Sequence, residues 1–216
     1  MVDRIQQMRT EYEDAGLTEA EVDSDPMVTF DAWFAAAVAG GVEEPNAMVL
    51  ASVGADGAPS SRTVLLKGYD ARGFVLYTNY ESRKGHELAA NPSCALLFPW
   101  YPLHRQVRVE GTAERLPEAE SDAYFAIRPR GSQLGAWASH QSTEVAGRAE
   151  LDAMYAEAER RFAGADVPRP PHWGGYVVRP LAIEFWQGRQ GRMHDRIRCR
   201  RATTDAEAWE SRRLAP

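Results

Sequence analysis

The sequence predicts a mainly β, mostly antiparallel fold, a barrel with flanking helices. Three observations predict it. From Ala47 onward, short apolar runs are separated by turn formers such as Gly54-Ala55-Asp56-Gly57 and Asp70-Ala71-Arg72-Gly73, the texture of hairpins. Helical periodicity is confined to a few segments. No GxGxxG, GxxxxGK or GxSxG occurs in a strand-to-helix setting, so nucleotide-binding α/β folds and the hydrolase elbow lack support. The 216 residues, 44% hydrophobic and 26% charged, suffice for one proper core. We expect a mobile arm or lid over 1–24 and a single domain over 25–216.

Taken in order, Asp3–Ala15 has helical potential but a polar surface. Asp25 can cap a helix with Pro26 in its first turn. Phe30, Trp33, Phe34, Ala37 and Val38 then share one face, and Gly40-Gly41 ends it. Ala47–Val53 and Pro59–Lys67 form a hairpin, and Phe74–Thr78 follows the second turn. Ser82 caps a short helix that stops before Asn91-Pro92. Ser93–Phe98 and Gln106–Leu116 continue the strands. Pro117–Ile127 and Gly147–Phe162 read as helices, with Pro129 stopping the first. The last strands are expected at Tyr176–Val178, Ala182–Gln187, Arg192–Arg201 and near Trp209–Leu214.

A formal net charge of −6 argues against a general nucleic-acid binder. Of the 25 basic residues, only Lys67 and Lys84 are lysine. Cys94 and Cys199 cannot build a disulfide framework, and the five histidines are too scattered for a local zinc pair, so no metal is expected. The N-terminus has no apolar core of a signal peptide, and no run suits a membrane span. A cytoplasmic location is expected.

Several clusters could carry chemistry. On a regular strand, Arg192, His194, Arg196, Arg198 and Arg200 would share one face. Such a row is either a charged edge strand or an anion site. Arg62 and Lys67 have opposite parity, which implies two anions, or one if a bulge intervenes. Arg83 and Lys84 begin a helix, where amide donors favour anions. Tyr124, Arg128 and Ser132 recur at intervals of four, although Pro129 interrupts them. Gln106, Gln141-Ser142 and Trp186 could meet a heterocycle, or be a surface amide, a polar loop and a core ring.

These segments together resemble the pyridoxine (pyridoxamine) 5′-phosphate oxidase family. The resemblance is carried in order by Pro45–Ala51, Arg62–Lys67, Tyr77-Thr78-Asn79, Ser82-Arg83-Lys84, Leu97–Trp100 and Arg105-Gln106-Val107. It continues through Arg128-Pro129-Arg130, Ser132–Trp137, Gln141-Ser142, Trp173–Tyr176, Glu184–Gly188, Arg192–Arg196 and Arg213–Pro216. Tyr80-Glu81, the acidic Gly16–Ser24 and the hydrophilic Ala202–Ala208 depart from the pattern.

The resemblance implies an FMN-binding split barrel in a homodimer, with FMN at the subunit interface. It implies oxidation of pyridoxine or pyridoxamine 5′-phosphate to pyridoxal 5′-phosphate by O2, releasing H2O2, and also NH3 from the amine. By family role, Arg62, Arg83, Lys84 and Ser142 hold the FMN phosphate and ribityl chain. Thr63, Val64, Leu65, Leu66, Lys67, Tyr77 and Thr78 complete the cofactor set, and Gln106, Gln141, Trp186 and Arg196 meet its ring. Lys67, Tyr124, Arg128 and Ser132 take the substrate phosphate, so the two parities acquire two phosphates. Arg192 and His194 lie against the substrate as the catalytic pair, Arg192 positioning and His194 as candidate proton acceptor. Arg9 and Tyr12 belong to the lid. A split-barrel flavin or deazaflavin reductase, or a flavin-binding module without turnover, are the alternatives. The substrate-side set favours the oxidase, since a mere flavin binder has no use for a second phosphate site.

Overall fold

The computed structural model describes Tyr12 and residues 16–216; the expected helix at Asp3–Ala15 lies outside the described residues, apart from Tyr12. Five helices and nine strands follow the first 3-10 turn. They are α1 (Pro26–Ala39), β1 (Ala47–Val53), β2 (Pro59–Leu65), β3 (Gly68–Asp70), β4 (Gly73–Asn79), α2 (Arg83–Ala90), β5 (Ser93–Trp100) and β6 (Arg105–Arg115). Then come α3 (Glu118–Ala126), α4 (Arg130–Ala138), α5 (Arg148–Arg161), β7 (Trp173–Gln187), β8 (Asp195–Arg200) and β9 (Glu210–Arg213). The strand order is β2-β1-β5-β6-β7-β4-β3, with β8 pairing β7 and β9. The pairs β3/β4, β4/β7, β7/β8 and β8/β9 are antiparallel.

The chain divides into two compact units. One comprises residues up to Val49, Ala95–Glu110 and Pro180–Pro216; the other comprises Leu50–Cys94 and Gly111–Arg179. In the first, Asp25 Oδ1 accepts the Met27 amide at 2.9 Å and Pro26 opens α1, as its side-chain chemistry dictates. The buried stripe of α1 then packs Phe30 edge-on to Phe98 at 5.1 Å and Trp33 edge-on to Phe185 at 5.2 Å. Burying each such ring stabilises the unit by about 2–3 kcal/mol.

In the second unit, Phe125, Leu134, Ala158, Phe162, Val167 and Trp173 form a core beneath α3, α4 and α5. The β1–β2 hairpin closes through the Gly54 amide on the Ala58 carbonyl at 3.1 Å. Gly57 supplies the φ of 80° there, a conformation that favours glycine.

Three elements differ from expectation. Pro129 stops α3 but also caps α4 at φ −53°, because a fixed φ that ends one helix suits the entry to another. The expected strands at Tyr176–Val178 and Ala182–Gln187 are one strand, β7. It pairs β4 through Trp173–Val178 and β8 through Ala182–Gln187, so Pro180, which lacks an amide donor, falls where the partner changes. The expected strand from Arg192 begins only at Asp195, because Gly191 and Arg192 adopt φ of 62° and 61°. Arg192 and His194 therefore do not share a strand face with Arg196, Arg198 and Arg200.

Candidate active site

In the second unit, β2, β4, α2, α3 and α4 surround a cavity of about 610 Å³. It receives Arg62, Thr63, Val64 and Leu65 from β2, and Lys67 just beyond that strand's end. The parity that sets Arg62 opposite Lys67 fails once the strand stops at Leu65, and both reach one cavity. Tyr77 and Thr78 come from β4, Lys84 from α2, and Tyr124, Arg128, Ser132, Gln141 and Trp173 complete the site-bearing walls. None of the described residues lining it is acidic.

Each cation is held differently. Ser82 caps α2, accepting the Gly85 amide at 3.3 Å and donating to the Asn79 carbonyl at 2.7 Å. That cap aims Lys84 inward, where Nζ donates to Thr78 Oγ1 at 3.1 Å, Ser82 Oγ at 3.3 Å and Gln141 Oε1 at 3.2 Å. All three acceptors are neutral. Burial, and then the neighbouring Arg62 charge, push the Lys84 ammonium below the usual lysine range.

Arg62 is anchored from behind. Its Nη2 meets Glu87 Oε2 at 3.0 Å and also donates to Ser60, while Nη1 donates to Ser52 and the Leu50 carbonyl. Glu87 is buried on α2 and also accepts from Ser52 at 2.7 Å, Ser60 at 2.6 Å and Arg83 Nε at 2.8 Å. Those bonds outweigh burial and hold its carboxyl at about 2. The Arg83 side chain is thus spent on Glu87, and its amide donates to Ser142 Oγ at 3.2 Å.

Arg128 is the opposite case. Its guanidinium lies 4.5 Å over Trp173, and buried Nη1 has no hydrogen-bond partner among the described residues. Burial pushes its pKa below the arginine norm. A buried donor without a partner costs about 1–3 kcal/mol, which a bound anion would recover. Tyr77 and Tyr124 stack at 4.0 Å, and Tyr77 and Trp173 at 5.4 Å. They form a flat apolar wall beside these cations.

In the first unit, Tyr12, Tyr101, His104, Arg105, Gln106 and Trp186 line a cavity of about 360 Å³. His194 packs on Trp186 at 4.6 Å and on Tyr12 at 5.6 Å. Its Nδ1 lies 3.1 Å from the Arg189 amide. Burial, then the Arg192 charge, lower the His194 pKa from the usual histidine value. Arg196 donates to both oxygens of Glu184, at 3.0 and 3.1 Å. Leu66 is buried in the core rather than lining either cavity, and Arg9 lies outside the described residues.

Sequence reasoning missed Glu87 and its serines Ser52 and Ser60, though Glu87 follows Arg83 by four residues in a helix, a readable ion-pair spacing. Trp173 lies in a segment that carries the resemblance, but the resemblance implies no site role for it, and His104 gave no signal beyond its residue type.

A family model described as pyridoxamine 5′-phosphate oxidase matches residues 34–162, more than half of the chain. The chain belongs to the pyridoxamine 5′-phosphate oxidase family. A second model, the pyridoxine 5′-phosphate oxidase C-terminal dimerisation region, matches residues 173–216. Proteins named pyridoxine/pyridoxamine 5′-phosphate oxidase are similar over 209 residues, 97% of this chain. The one from Rubrobacter xylanophilus is 60% identical and covered over 95% of its length. That from Nocardioides sp. is 59% identical and covered over 96%.

Among solved structures, PhzG from Burkholderia lata 383, in complex with tetrahydrophenazine-1-carboxylic acid, is similar with a TM-score of 0.86 and 33% identity. The match covers 95% of this chain and 100% of that one. An FMN-binding protein from Nostoc punctiforme shares the fold, with a TM-score of 0.71 at 15% identity over 90% of this chain and 100% of that one. The chain is therefore an oxidoreductase of a flavoprotein family with the split-barrel fold. Among the described residues, no helix is long and apolar enough to cross a membrane.

Proposed function

We propose that the protein oxidises pyridoxine 5′-phosphate or pyridoxamine 5′-phosphate to pyridoxal 5′-phosphate, using FMN and O2 and releasing H2O2, as a homodimer. The observation that carries this reading is the cavity where Arg62, Lys67, Lys84 and Arg128 converge with no acidic lining residue. Four cations facing one cavity repel one another, and two dianionic phosphates relieve that repulsion. The residues present fit a flavin mononucleotide, since Lys84 of the cofactor set donates only to neutral acceptors among the described residues and keeps its charge for a phosphate.

Arg62 and Lys84, with Gln141 and Ser142 beside them, take the cofactor phosphate and ribityl chain. Lys67, Tyr124, Arg128 and Ser132 take the substrate phosphate. The flavin supplies hydride-accepting and oxygen-reducing chemistry when bound. The chain's own residues supply orientation: anchoring the phosphate fixes the ring beside it, converting a bimolecular encounter into a positioned one. Arg192 and His194 meet the substrate ring. A guanidinium has no lone pair to offer as a base in ordinary surroundings, so Arg192 orients by charge.

The test is direct. Purified protein should carry flavin absorbance, and either phosphorylated substrate in air should yield aldehyde and peroxide. A yellow protein forming neither product sinks the oxidase reading and leaves the flavin-binding module. Arg62→Ala should release FMN, and Arg192→Ala should slow turnover with flavin retained. The reverse pattern would show that the two phosphates are assigned the wrong way round.

A further inference from the structure

The turn that carries Arg192 and His194 is built unusually. Gly191 and Arg192 are successive left-handed residues, with φ of 62° and 61°, and the Met193 amide donates to the Gln190 carbonyl at 3.3 Å. Left-handed backbone is unfavourable for a residue with a Cβ and persists where the surroundings impose it. Here the chain doubles back far enough for the Arg189 amide to donate to His194 Nδ1 at 3.1 Å. The next residue is pinned as well. The Asp195 carboxylate accepts from the Leu17 amide at 2.9 Å, from Arg189 Nη1 at 3.4 Å and from Arg213.

A backbone amide has one proton and cannot accept. His194 Nδ1 must therefore present its lone pair, and a neutral ring then carries its single proton on Nε2. Protonating Nδ1 would set two donors face to face. Burial and the Arg192 charge oppose a second proton, and the carboxylate of the next residue, Asp195, already accepts from Leu17, Arg189 and Arg213. The rings of Trp186 and Tyr12 cover the imidazole without offering a base.

We propose that His194 serves the reaction as a hydrogen-bond donor through Nε2–H, held in that tautomer by the Arg189 amide, and is not its proton acceptor. This rests on the reading above that His194 meets the substrate, and it deepens that reading. The atom addressed on the substrate must carry an oxygen or nitrogen lone pair. The Arg189 amide acts through the imidazole and is a positioning group.

Two measurements test it on the full chain. In 15N-histidine-labelled protein, with and without FMN, long-range 1H–15N spectra at neutral pH should show a pyridine-like Nδ1 and a pyrrole-like Nε2 for His194. Its signals are identified by their loss in His194→Gln. The opposite tautomer, or an imidazolium, overturns the proposal.

In turnover, His194→Gln keeps an amide N–H near Nε2 and should stay within about tenfold of wild type, while His194→Phe and His194→Glu should fall about 100-fold or more. If Gln falls as far as Phe and the acidic limb of the pH–rate profile disappears with it, His194 is a base and the proposal fails. Wild-type protein that oxidises neither substrate overturns the function reading, and with it the donor's role in that reaction. The nitrogen spectrum reads the tautomer independently of turnover and so separates the two failures.

Discussion

Replacing Glu87 should cost more than any surface ion pair. Its side chain is 7% exposed and Arg62's is 19%, and four donors converge on it from Ser52, Ser60, Arg62 and Arg83. The carboxyl lies at about 2 in the folded protein, against about 4.3 in an unfolded chain. Linkage then gives a ceiling of about 3 kcal/mol, and solvent screening of the partly exposed Arg62 reduces it, so about 2 kcal/mol is expected for Glu87→Gln.

The sign follows from the depressed pKa. The contribution is fully present above about pH 5, about half of it remains near pH 3, and it vanishes as pH falls through 2. Urea denaturation of flavin-free wild type and Glu87→Gln should therefore differ by about 2 kcal/mol at pH 7, and the difference should shrink on acidification. A difference below about 0.5 kcal/mol at pH 7, or one that grows toward acid, would refute the claim that this carboxylate anchors Arg62.

Three further outcomes are expected. Arg128→Ala should raise KM for the phosphorylated substrates about tenfold or more, and Arg128→Lys should not restore it, because only the planar guanidinium stacks on Trp173 and presents a forked donor; steady-state kinetics decide. Gly85→Ala would place a Cβ 2.1 Å from the Tyr80 carbonyl oxygen, so α2 must shift, costing about 1–3 kcal/mol and weakening FMN retention; thermal melting and flavin fluorescence read the two effects. Arg213 donates to the Leu17 carbonyl at 2.9 Å and to Glu19 at 2.7 and 2.9 Å, so Arg213→Ala should speed proteolysis near residues 16–21 without abolishing flavin binding.

The sequence was legible where local chemistry fixes local structure. Asp25-Pro26 and Ser82 state their caps outright, and Gly57 states its turn. It was illegible where a residue serves two elements. Pro129 reads as a stop because the preceding residue is pushed off helical geometry, yet the same ring starts α4, and that helix brings Ser132 to the cavity. Pro180 reads as a strand break because it cannot donate, but β7 needs no donor where it exchanges β4 for β8. Neither ambiguity can be resolved from within a window of sequence, since the deciding partner is remote.

The site divides along the same line. Lys84 and Arg128 were readable as cations near phosphate-compatible neighbours, but charge alone does not say which cations are free to bind. Arg62 and Arg83 are partly spent on Glu87, Arg196 on Glu184 and Arg213 on Asp195 and Glu19. Among the described residues, Lys84 donates only to neutral acceptors, and Arg128 keeps a donor without a partner. In a chain with net charge −6, most arginines are matched by nearby carboxylates, so the informative quantity is local imbalance rather than basicity. Lys84 and Arg128 both face the one cavity with no acidic residue among its described lining. An anion is therefore favoured there by a local excess of positive charge that the net charge of the chain does not reveal.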